Sequence, residues 1–400
     1  MTSPFDTERL TAAHLSVRND LLAERNAHGF WEGRLSSSPL STATAISALV
    51  LAEQNGTSCG LPAYSPEGGA DSLQEMYQGD LSELIVHSLH WLAGQQNDDG
   101  GWGDTDRSLS NIATTMLVQA AFQLTGVPAK YTDLMARAAK YVSAQGGLAA
   151  LKQRYAGDKT FAVPILTNCA LADMVPWRKV PALPFELACL PQRLYQHLNL
   201  PVVSYALPAL VAIGQTRFHH APPRNPAVRW LRSATKNRSL EILSDMQPAS
   251  GGFLEATPLT SFVVMSLSSM GLVEHPVVRR GVRFLLSSVR EDGSWPIDSN
   301  LATWNSSQAL SALNWKLEED AYRTGGPSDD AHQSLDWLLS CQHHQVHRAT
   351  GAAPGGWAWT DLSGGIPDAD DTAAALLALA AWHRRWPEVR ATEIKTAARS

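Results

Sequence analysis

Residues 91–102 read WLAGQQNDDGGW, and the same frame returns at residues 242–253 as ILSDMQPASGGF and at residues 284–295 as FLLSSVREDGSW. In each copy a Gln, or Val289 in the third, stands five positions after the first residue and six positions before a closing aromatic residue. Weaker or interrupted copies close at Phe30-Trp31, Gly147 and Trp357. A frame that recurs along a chain is typical of an architecture built from repeated units.

The spacing of these copies predicts a helical fold. The closing residues Phe253 and Trp295 are 42 positions apart, and a unit of about that length fits two helices and two connections. The Ala and Leu content and the i, i+3, i+4 spacing of apolar residues predict helices at Ser110–Leu124, Pro258–Met270 and Thr303–Leu317. We therefore expect an all-α fold of helical hairpins stacked into toroids, in which the Gln and Trp of each copy tie neighbouring helices together.

The composition excludes several classes of protein. With 44% hydrophobic and 18% charged residues, the 400-residue chain has the apolar content that disordered chains lack. Four cysteines without a CxxC pair exclude a small disulfide scaffold and favour a reducing, cytoplasmic compartment. A formal net charge of −6 argues against nucleic acid as the main partner. We find no secretory leader and no stretch apolar enough to span a membrane, while contact with a membrane surface stays open.

One segment places three carboxylates at the start of an apolar helix. Residues 364–373 read GGIPDADDTA, and residues 374–382 are all apolar, so we expect a helix buried on all sides. A structural interpretation makes Asp368 the N-cap and lets Asp370 and Asp371 complement the helix dipole.

A catalytic interpretation of the same segment is also open. The dipole favours the charged form of a carboxyl by under about one pKa unit, whereas burial raises its pKa by about 3–5 units. A protonated carboxyl in a dry cavity can protonate a carbon–carbon double bond. The aromatic faces of Trp357 and Trp359, just upstream, can stabilise the resulting cation.

These residues resemble the class II terpene cyclases, in particular the bacterial squalene–hopene cyclases. Residues 368–373 are similar to that family's highly specific Asp-x-Asp-Asp-Thr-Ala motif, and the Gly-aromatic copies resemble its Gln-Trp repeats. Further similarity lies at residues 30–33 (FWEG), 143–147 (SAQGG) and 176–181 (PWRKVP). The resemblance covers nearly all of the chain.

The resemblance implies a proton-initiated cyclisation of a linear polyprenyl substrate, such as squalene or a related terpenoid. Asp370 would protonate the terminal alkene, and Asp368 and Asp371 would hold and polarise it by hydrogen bonds. Trp359 would stabilise a cationic intermediate. No metal is implied for a hydrocarbon substrate, and Mg²⁺ is expected only if the substrate is a diphosphate.

The resemblance also implies two α/α barrels, one inserted into the other, with the cavity between them. We expect an N-terminal helical segment at residues 1–25, an inserted barrel at residues 26–236 and the first part of the acid-bearing barrel at residues 237–400.

Two departures from the family bear on function. In the family, further repeats follow the acid motif, complete its barrel and supply a His that partners the acid, whereas here 29 residues follow Asp371. We therefore expect an incomplete acid-bearing barrel and favour one subunit of a split cyclase, completed by a second cyclase-like polypeptide; a truncated piece and a self-sufficient dimer stay open. Asn168 and Thr260 stand where the family has cavity aromatics. These smaller substrate-binding candidates suggest a shorter or functionalised polyprenyl chain.

Two other functions stay open. A non-catalytic α/α-toroid scaffold or binding subunit derived from a cyclase is favoured by the loss of cavity aromatics. It is opposed by the three clustered acids, which a scaffold does not need. A protein prenyltransferase β-subunit is also an α/α toroid, but its zinc site needs an Asp-x-Cys that is absent here. We therefore interpret the chain as a class II terpene cyclase or its catalytic-acid subunit.

Overall fold

A computed structural model of the chain describes residues 6–33, 35–56, 81–126, 129–155, 158–190, 204–313, 328–347 and 350–399. These residues form helices joined by turns and short 3-10 segments, with isolated β-bridges and no strand among them. The expected all-α class is confirmed.

The described α-helices follow one another along the chain as fifteen segments. They are α1 (Thr7–Ala23), α2 (Pro39–Asn55), α3 (Leu81–Gly94), α4 (Ile112–Leu124), α5 (Thr132–Ala144), α6 (Gly147–Arg154), α7 (Lys159–Leu171), α8 (Leu207–His220), α9 (Pro226–Met246), α10 (Thr257–Ser268), α11 (Pro276–Ser287), α12 (Ala302–Leu313), α13 (Asp329–Ser340), α14 (Ala369–Arg385) and α15 (Ala391–Ala397). The three predicted helices correspond to α4, α10 and α12, and residues 314–317 of the third lie outside the described residues.

The chain divides into two compact units: the inserted unit, residues 35–299, and the acid unit, residues 1–34 with 300–400. The expected boundary between residues 236 and 237 lies inside α9, which is one continuous helix. The N-terminal segment belongs to the acid unit because the Trp31 indole N–H donates to the Leu21 carbonyl and the Trp31 backbone N–H donates to Ser306.

Five of the described helices of the inserted unit form a closed inner ring. Around the ring, α2 packs on α4, α4 on α7, α7 on α8, α8 on α10, and α10 back on α2. Helices α3, α5, α9 and α11 pack outside this ring. Helix α2 is buried on every side from Ser41 to Ala52, as expected for a helix surrounded by others. This arrangement is an α/α toroid.

The acid unit contains fewer described helices. Helices α12 and α14 pack against each other, α13 packs on α12, and α15 packs on α13 and α14. Its core includes Trp31, Leu310, Leu338 and Trp382.

The Gln and Trp residues of the repeated frame tie the helices of each unit together, as expected. The indole N–H groups of Trp102, Trp295 and Trp357 donate to the carbonyls of Leu92, Leu285 and Leu338 at 2.9, 2.7 and 2.8 Å. The Gln side chains donate twice each: Gln96 to Gly100 and Leu134, Gln247 to Gly251 and Val277, and Gln342 to Gly355 and Ala397. The frame therefore supplies donors, and those of the indoles reach carbonyls in the last turns of helices, where backbone carbonyls lack helical partners.

A second contact recurs at the start of the inner helices. The backbone N–H of each closing aromatic residue donates to a hydroxyl in the first turns of an inner helix, and we call each such pair a corner. The pairs are Trp31 with Ser306, Trp102 with Thr115, Phe253 with Thr260, Trp295 with Thr42, and Trp357 with Thr372. The pair of Trp295 and Thr42 joins the two ends of the inserted unit, which closes its ring.

Candidate active site

The acid motif forms the first turn of α14, inside one of these corners. Asp368 is the N-cap, and its carboxylate accepts a hydrogen bond from the Asp371 backbone N–H at 2.8 Å. The Asp368 N–H donates to the Trp357 carbonyl at 3.1 Å, and the Trp357 N–H donates to the Thr372 hydroxyl at 2.9 Å. The first N–H groups of a helix lack helical acceptors, so a carboxylate cap stabilises this start. The N-cap expected at Asp368 is confirmed.

Asp371 is the buried member of the cluster. It is 6% exposed, and one of its carboxyl oxygens has no hydrogen-bond partner among the described residues. The pKa of Asp371 is raised to about 8, first by burial, then by a hydrogen bond with the Asp368 side chain and by the charges of Asp368 and Asp370. At neutral pH this carboxyl is therefore mostly protonated.

Asp370 lies on the side of α14 that no described helix covers. Asp370, Ala373, Leu377, Ala380 and Arg384, three or four positions apart, are all exposed, and we call them the exposed stripe. Leu377 is 66% exposed, so the expectation that this helix is buried on all sides is wrong. The expected burial of the acid cluster holds for Asp371, whereas Asp370 and Asp368 are exposed.

The two predicted cavity tryptophans differ in their surroundings. Trp357 is fully buried, and its indole N–H donates to the Leu338 carbonyl, so this ring belongs to the corner and has no surface to offer a substrate. Trp359 is partly exposed, and its indole N–H is buried without an acceptor among the described residues. Of the two rings, Trp359 is the one that keeps surface for a ligand.

The other two predicted substrate residues belong to the inserted unit. Thr260 is fully buried in α10, and its hydroxyl accepts the Phe253 N–H at 3.0 Å, which gives it the corner position of Thr372. Asn168 is fully buried in α7, and neither atom of its amide has a partner among the described residues. Substrate contact by Asn168 and Thr260 stays a prediction.

Three residues of the acid unit that the sequence argument missed lie near Trp359. Trp304 is 37% exposed, and its backbone N–H donates to the Trp359 carbonyl at 3.1 Å. The Thr360 hydroxyl donates to the side-chain oxygen of Asn300 at 2.8 Å. Aligning the inner helices on their corner hydroxyls would have found Trp304, because it precedes Ser306 by two positions as Asp370 precedes Thr372.

Two properties of the described residues bear on other functions. Within them, no group of three or more His, Cys, Asp or Glu side chains is placed to hold a metal ion. None of the described helices has the length and apolar content needed to cross a bilayer.

The chain is similar to proteins of known family. Residues 72–325, more than half of the chain, match the family model described as the squalene-hopene cyclase N-terminal domain. The acid motif lies beyond that range. A crystal structure of a protein from Actinoplanes covers 97% of this chain and 99% of its own, at 15% identity and a TM-score of 0.31, too low for a conclusion about the fold.

Three curated relatives share similar identity with the chain. Sporulenol synthase from Bacillus subtilis (strain 168) is 24% identical over 374 residues, covering 78% of this chain and 56% of that protein. Squalene–hopene cyclase from Alicyclobacillus acidocaldarius is 23% identical over 340 residues, covering 72% of this chain and 51% of that protein. A terpene cyclase–glycosyl transferase fusion protein from Humicola fuscoatra is 24% identical over 376 residues, covering 75% of this chain and 27% of that protein. The chain thus spans 27–56% of the length of these relatives.

Proposed function

This chain belongs to the squalene–hopene cyclase family of class II terpene cyclases, and from that premise we propose that it carries the catalytic acid of a proton-initiated cyclisation. The proposed substrate is a linear polyprenyl chain such as squalene or a related terpenoid. The observation that carries the proposal is the buried Asp371 carboxyl, which lies one position from the exposed Asp370 and whose pKa is raised by burial and by a hydrogen bond with the Asp368 side chain.

Asp370 is assigned the proton transfer because it is an exposed acid on the uncovered side of α14, where a substrate can reach it. Its carboxyl O–H bond breaks, a C–H bond forms at the terminal alkene carbon, and a cation is left on the neighbouring carbon. Further alkenes of the chain add to that cation. Neutrality is restored when the last cation loses a proton, or when water adds to it and the resulting protonated alcohol loses a proton.

The neighbouring acids support this transfer electrostatically. The charges of Asp368 and Asp370 favour the neutral form of Asp371, and the proton that Asp371 holds is assigned to replace the one that Asp370 gives up in the transfer. The partly exposed Trp359 ring supplies a π face for the cation. A hydrocarbon substrate needs no metal in this scheme, and a need for Mg²⁺ is proposed only for a diphosphate substrate.

We infer that a second cyclase-like polypeptide covers the exposed stripe. Leu377 stands between Ala373 and Ala380, whose small side chains leave room for a helix to pack closely. The same cover would shield Asp370 from bulk water and so protect the cation from early quenching. Co-purification with a second repeat-bearing chain, lost in Leu377→Glu, is the expected result. A monodisperse, active monomer by light scattering and product analysis would contradict it.

Peripheral contact with a lipid surface is also proposed, because a polyprenyl substrate partitions into bilayers. Trp230 is 73% exposed on α9, next to the exposed Leu231 and Arg229, a combination suited to the boundary between headgroups and acyl chains. Flotation with anionic vesicles should fall in Trp230→Ser. Equal flotation of both forms would contradict the contact at this surface.

The proposed function is tested by replacing the acid. Asp370→Asn should lower conversion of squalene, assayed with any co-purifying chain, by about 10²–10⁴-fold, the usual contribution of a general acid. Asp329→Asn, an exposed first-turn acid of α13, is the matched control and should keep wild-type conversion. Equal conversion by Asp370→Asn and the wild type would remove Asp370 from its assigned role. Complete inactivity of the wild type would favour the scaffold function.

A further inference from the structure

The Trp359 ring lacks the anchor that fixes four other indoles of this protein. Trp31, Trp102, Trp295 and Trp357 each donate their indole N–H to a backbone carbonyl at 2.7–2.9 Å. The Trp359 N–H finds no acceptor among the described residues. The orientation of this ring therefore depends on how the backbone of residues 357–360 is held.

Two helices hold that backbone segment. On one side the Trp357 N–H is bound by Thr372 of α14. On the other, the first turn of α12 contributes the Trp304 N–H, which has no helical acceptor of its own and donates to the Trp359 carbonyl at 3.1 Å. Residues 357–360 are thus fixed between α12 and α14.

A side-chain hydrogen bond completes the attachment to α12. The Thr360 hydroxyl, in a residue only 2% exposed, donates to the Asn300 side-chain oxygen at 2.8 Å. The same oxygen accepts the Ala302 N–H at 2.8 Å. One side-chain oxygen therefore accepts both the N–H of the first residue of α12 and the hydroxyl of the residue next to Trp359.

The loop that follows closes on the same segment. A Cβ placed on Gly365 would lie 2.9 Å from the Ala358 Cβ and 3.0 Å from the Thr360 carbonyl oxygen. Since Gly365 has no side chain, the loop packs directly on residues 357–360 and leaves them little room to shift.

We propose that Asn300 and Thr360 are positioning residues, which orient the Trp359 ring and so decide how far cyclisation proceeds before the cation is quenched. The proposal rests on the proposed function, in which Trp359 stabilises a cationic intermediate. That stabilisation requires the cation over the ring face within about 6 Å of its centroid. If the ring tilts, the cation loses this stabilisation. A cation that is not stabilised loses a proton or gains water at an earlier stage of the cyclisation.

Product analysis tests the proposal. Thr360→Val keeps the shape of the side chain and removes both the hydrogen bond to Asn300 and the one that the Thr360 hydroxyl accepts from the Leu362 N–H at 3.2 Å. The ratio of partly cyclised to fully cyclised products should therefore rise roughly threefold or more. The rate of substrate consumption should change little, because protonation comes first. Thr360→Ser keeps the hydroxyl and should restore the wild-type ratio.

The matched control removes a similar hydrogen bond elsewhere. Thr216 is buried in the inserted unit, and its hydroxyl donates to the Ser266 carbonyl of the neighbouring helix at 2.9 Å. Thr216→Val should leave the product ratio unchanged. An unchanged ratio in Thr360→Val, or an equal rise in Thr216→Val, would overturn the proposal.

A spectroscopic measurement separates this proposal from the proposed function. In protein labelled with 5-fluorotryptophan, Trp359→Phe identifies the Trp359 resonance, which Thr360→Val should shift or broaden while Thr360→Ser and Thr216→Val should not. If the wild type converts no polyprenyl substrate, the proposed function fails, and this resonance alone decides the positioning. A resonance unmoved by Thr360→Val would then overturn it.

Discussion

Two corners, one in each compact unit, share their backbone and differ in their chemistry. In the neutral corner, residues 102–115, Trp102 donates to Thr115 at 3.0 Å, Asn111 donates to the Trp102 carbonyl at 2.9 Å, and the Asn111 side chain caps the Thr114 N–H at 2.9 Å. The acid corner, residues 357–372, repeats each of these hydrogen bonds to within 0.2 Å. The two helix starts are therefore the same structural unit.

The difference lies in the side chains of the N-cap residue and of the residue three positions after it. In the neutral corner Asn111 and Thr114 both donate to the Asp104 carboxylate, Asn111 at 2.8 Å, so one acid is matched by two donors. In the acid corner the equivalent positions are Asp368 and Asp371, and two carboxyl groups can hydrogen-bond only if one of them holds a proton. Exchanging Asn and Thr for two Asp residues thus converts a helix cap into a proton-holding site without changing the backbone.

Replacing the Asp371 carboxyl group by an amide would test this comparison most strongly. Asp371→Asn supplies a fixed N–H donor toward Asp368, so the corner should stay folded while the acid cluster loses its held proton. We expect substrate conversion to fall by about 10²–10⁴-fold. Thr114→Asn, at the same helix position in the neutral corner, should leave conversion unchanged. Conversion near the wild-type level in Asp371→Asn would reduce the acid corner to a cap.

The pH dependence of stability should differ between the same two proteins. The pKa of Asp371 is about 8 in the folded chain against 3.8 for an unperturbed group, so between these values the folded state binds more protons than the unfolded state. The free energy of unfolding of the wild type should therefore fall as pH rises from about 4 to about 8, on the order of a few kcal/mol at most. Asp371→Asn should remove this fall.

Urea unfolding at pH 5, 6.5 and 8 measures that difference. Asp298 of the inserted unit, whose pKa burial raises to about 6, contributes a fall of the same sign in both proteins, so the difference between them isolates Asp371. Parallel curves for the wild type and the variant would show that Asp371 holds no proton at neutral pH.

The repeated frame made the helices and corners predictable because its residues pair backbone groups over short distances. Gln96, for instance, binds Gly100 four positions away, so the sequence spacing states the contact directly. The division into units was not predictable in this way. It depends on Trp31 bonding to Ser306, a contact that spans 275 positions and leaves no local signal.

The burial of the acids was not predictable for a different reason. Adjacent residues on a helix point about 100° apart, so Asp370 and Asp371 face different surroundings. Because residues 374–382 are apolar on every side, their pattern did not show which face meets the core. Only the packing of α12 on α14 decided that Asp371 is enclosed and Asp370 is not.

The smallest expected effect concerns the hydrogen bond that both corners share, from a Trp backbone N–H to a Thr hydroxyl. Thr115→Val and Thr372→Val each leave a tryptophan backbone N–H without its acceptor, at 3.0 Å in one corner and 2.9 Å in the other. Each should lower the free energy of unfolding by about 1–3 kcal/mol in urea titrations, since a buried donor loses its partner. Only Thr372→Val should also lower substrate conversion, because Thr372 lies in the first turn of α14, which carries the acids. Equal losses of conversion in both variants would mean that the corners affect activity through stability alone. A larger loss of stability in one variant than in the other would show that the two hydrogen bonds do not contribute equally to the two corners.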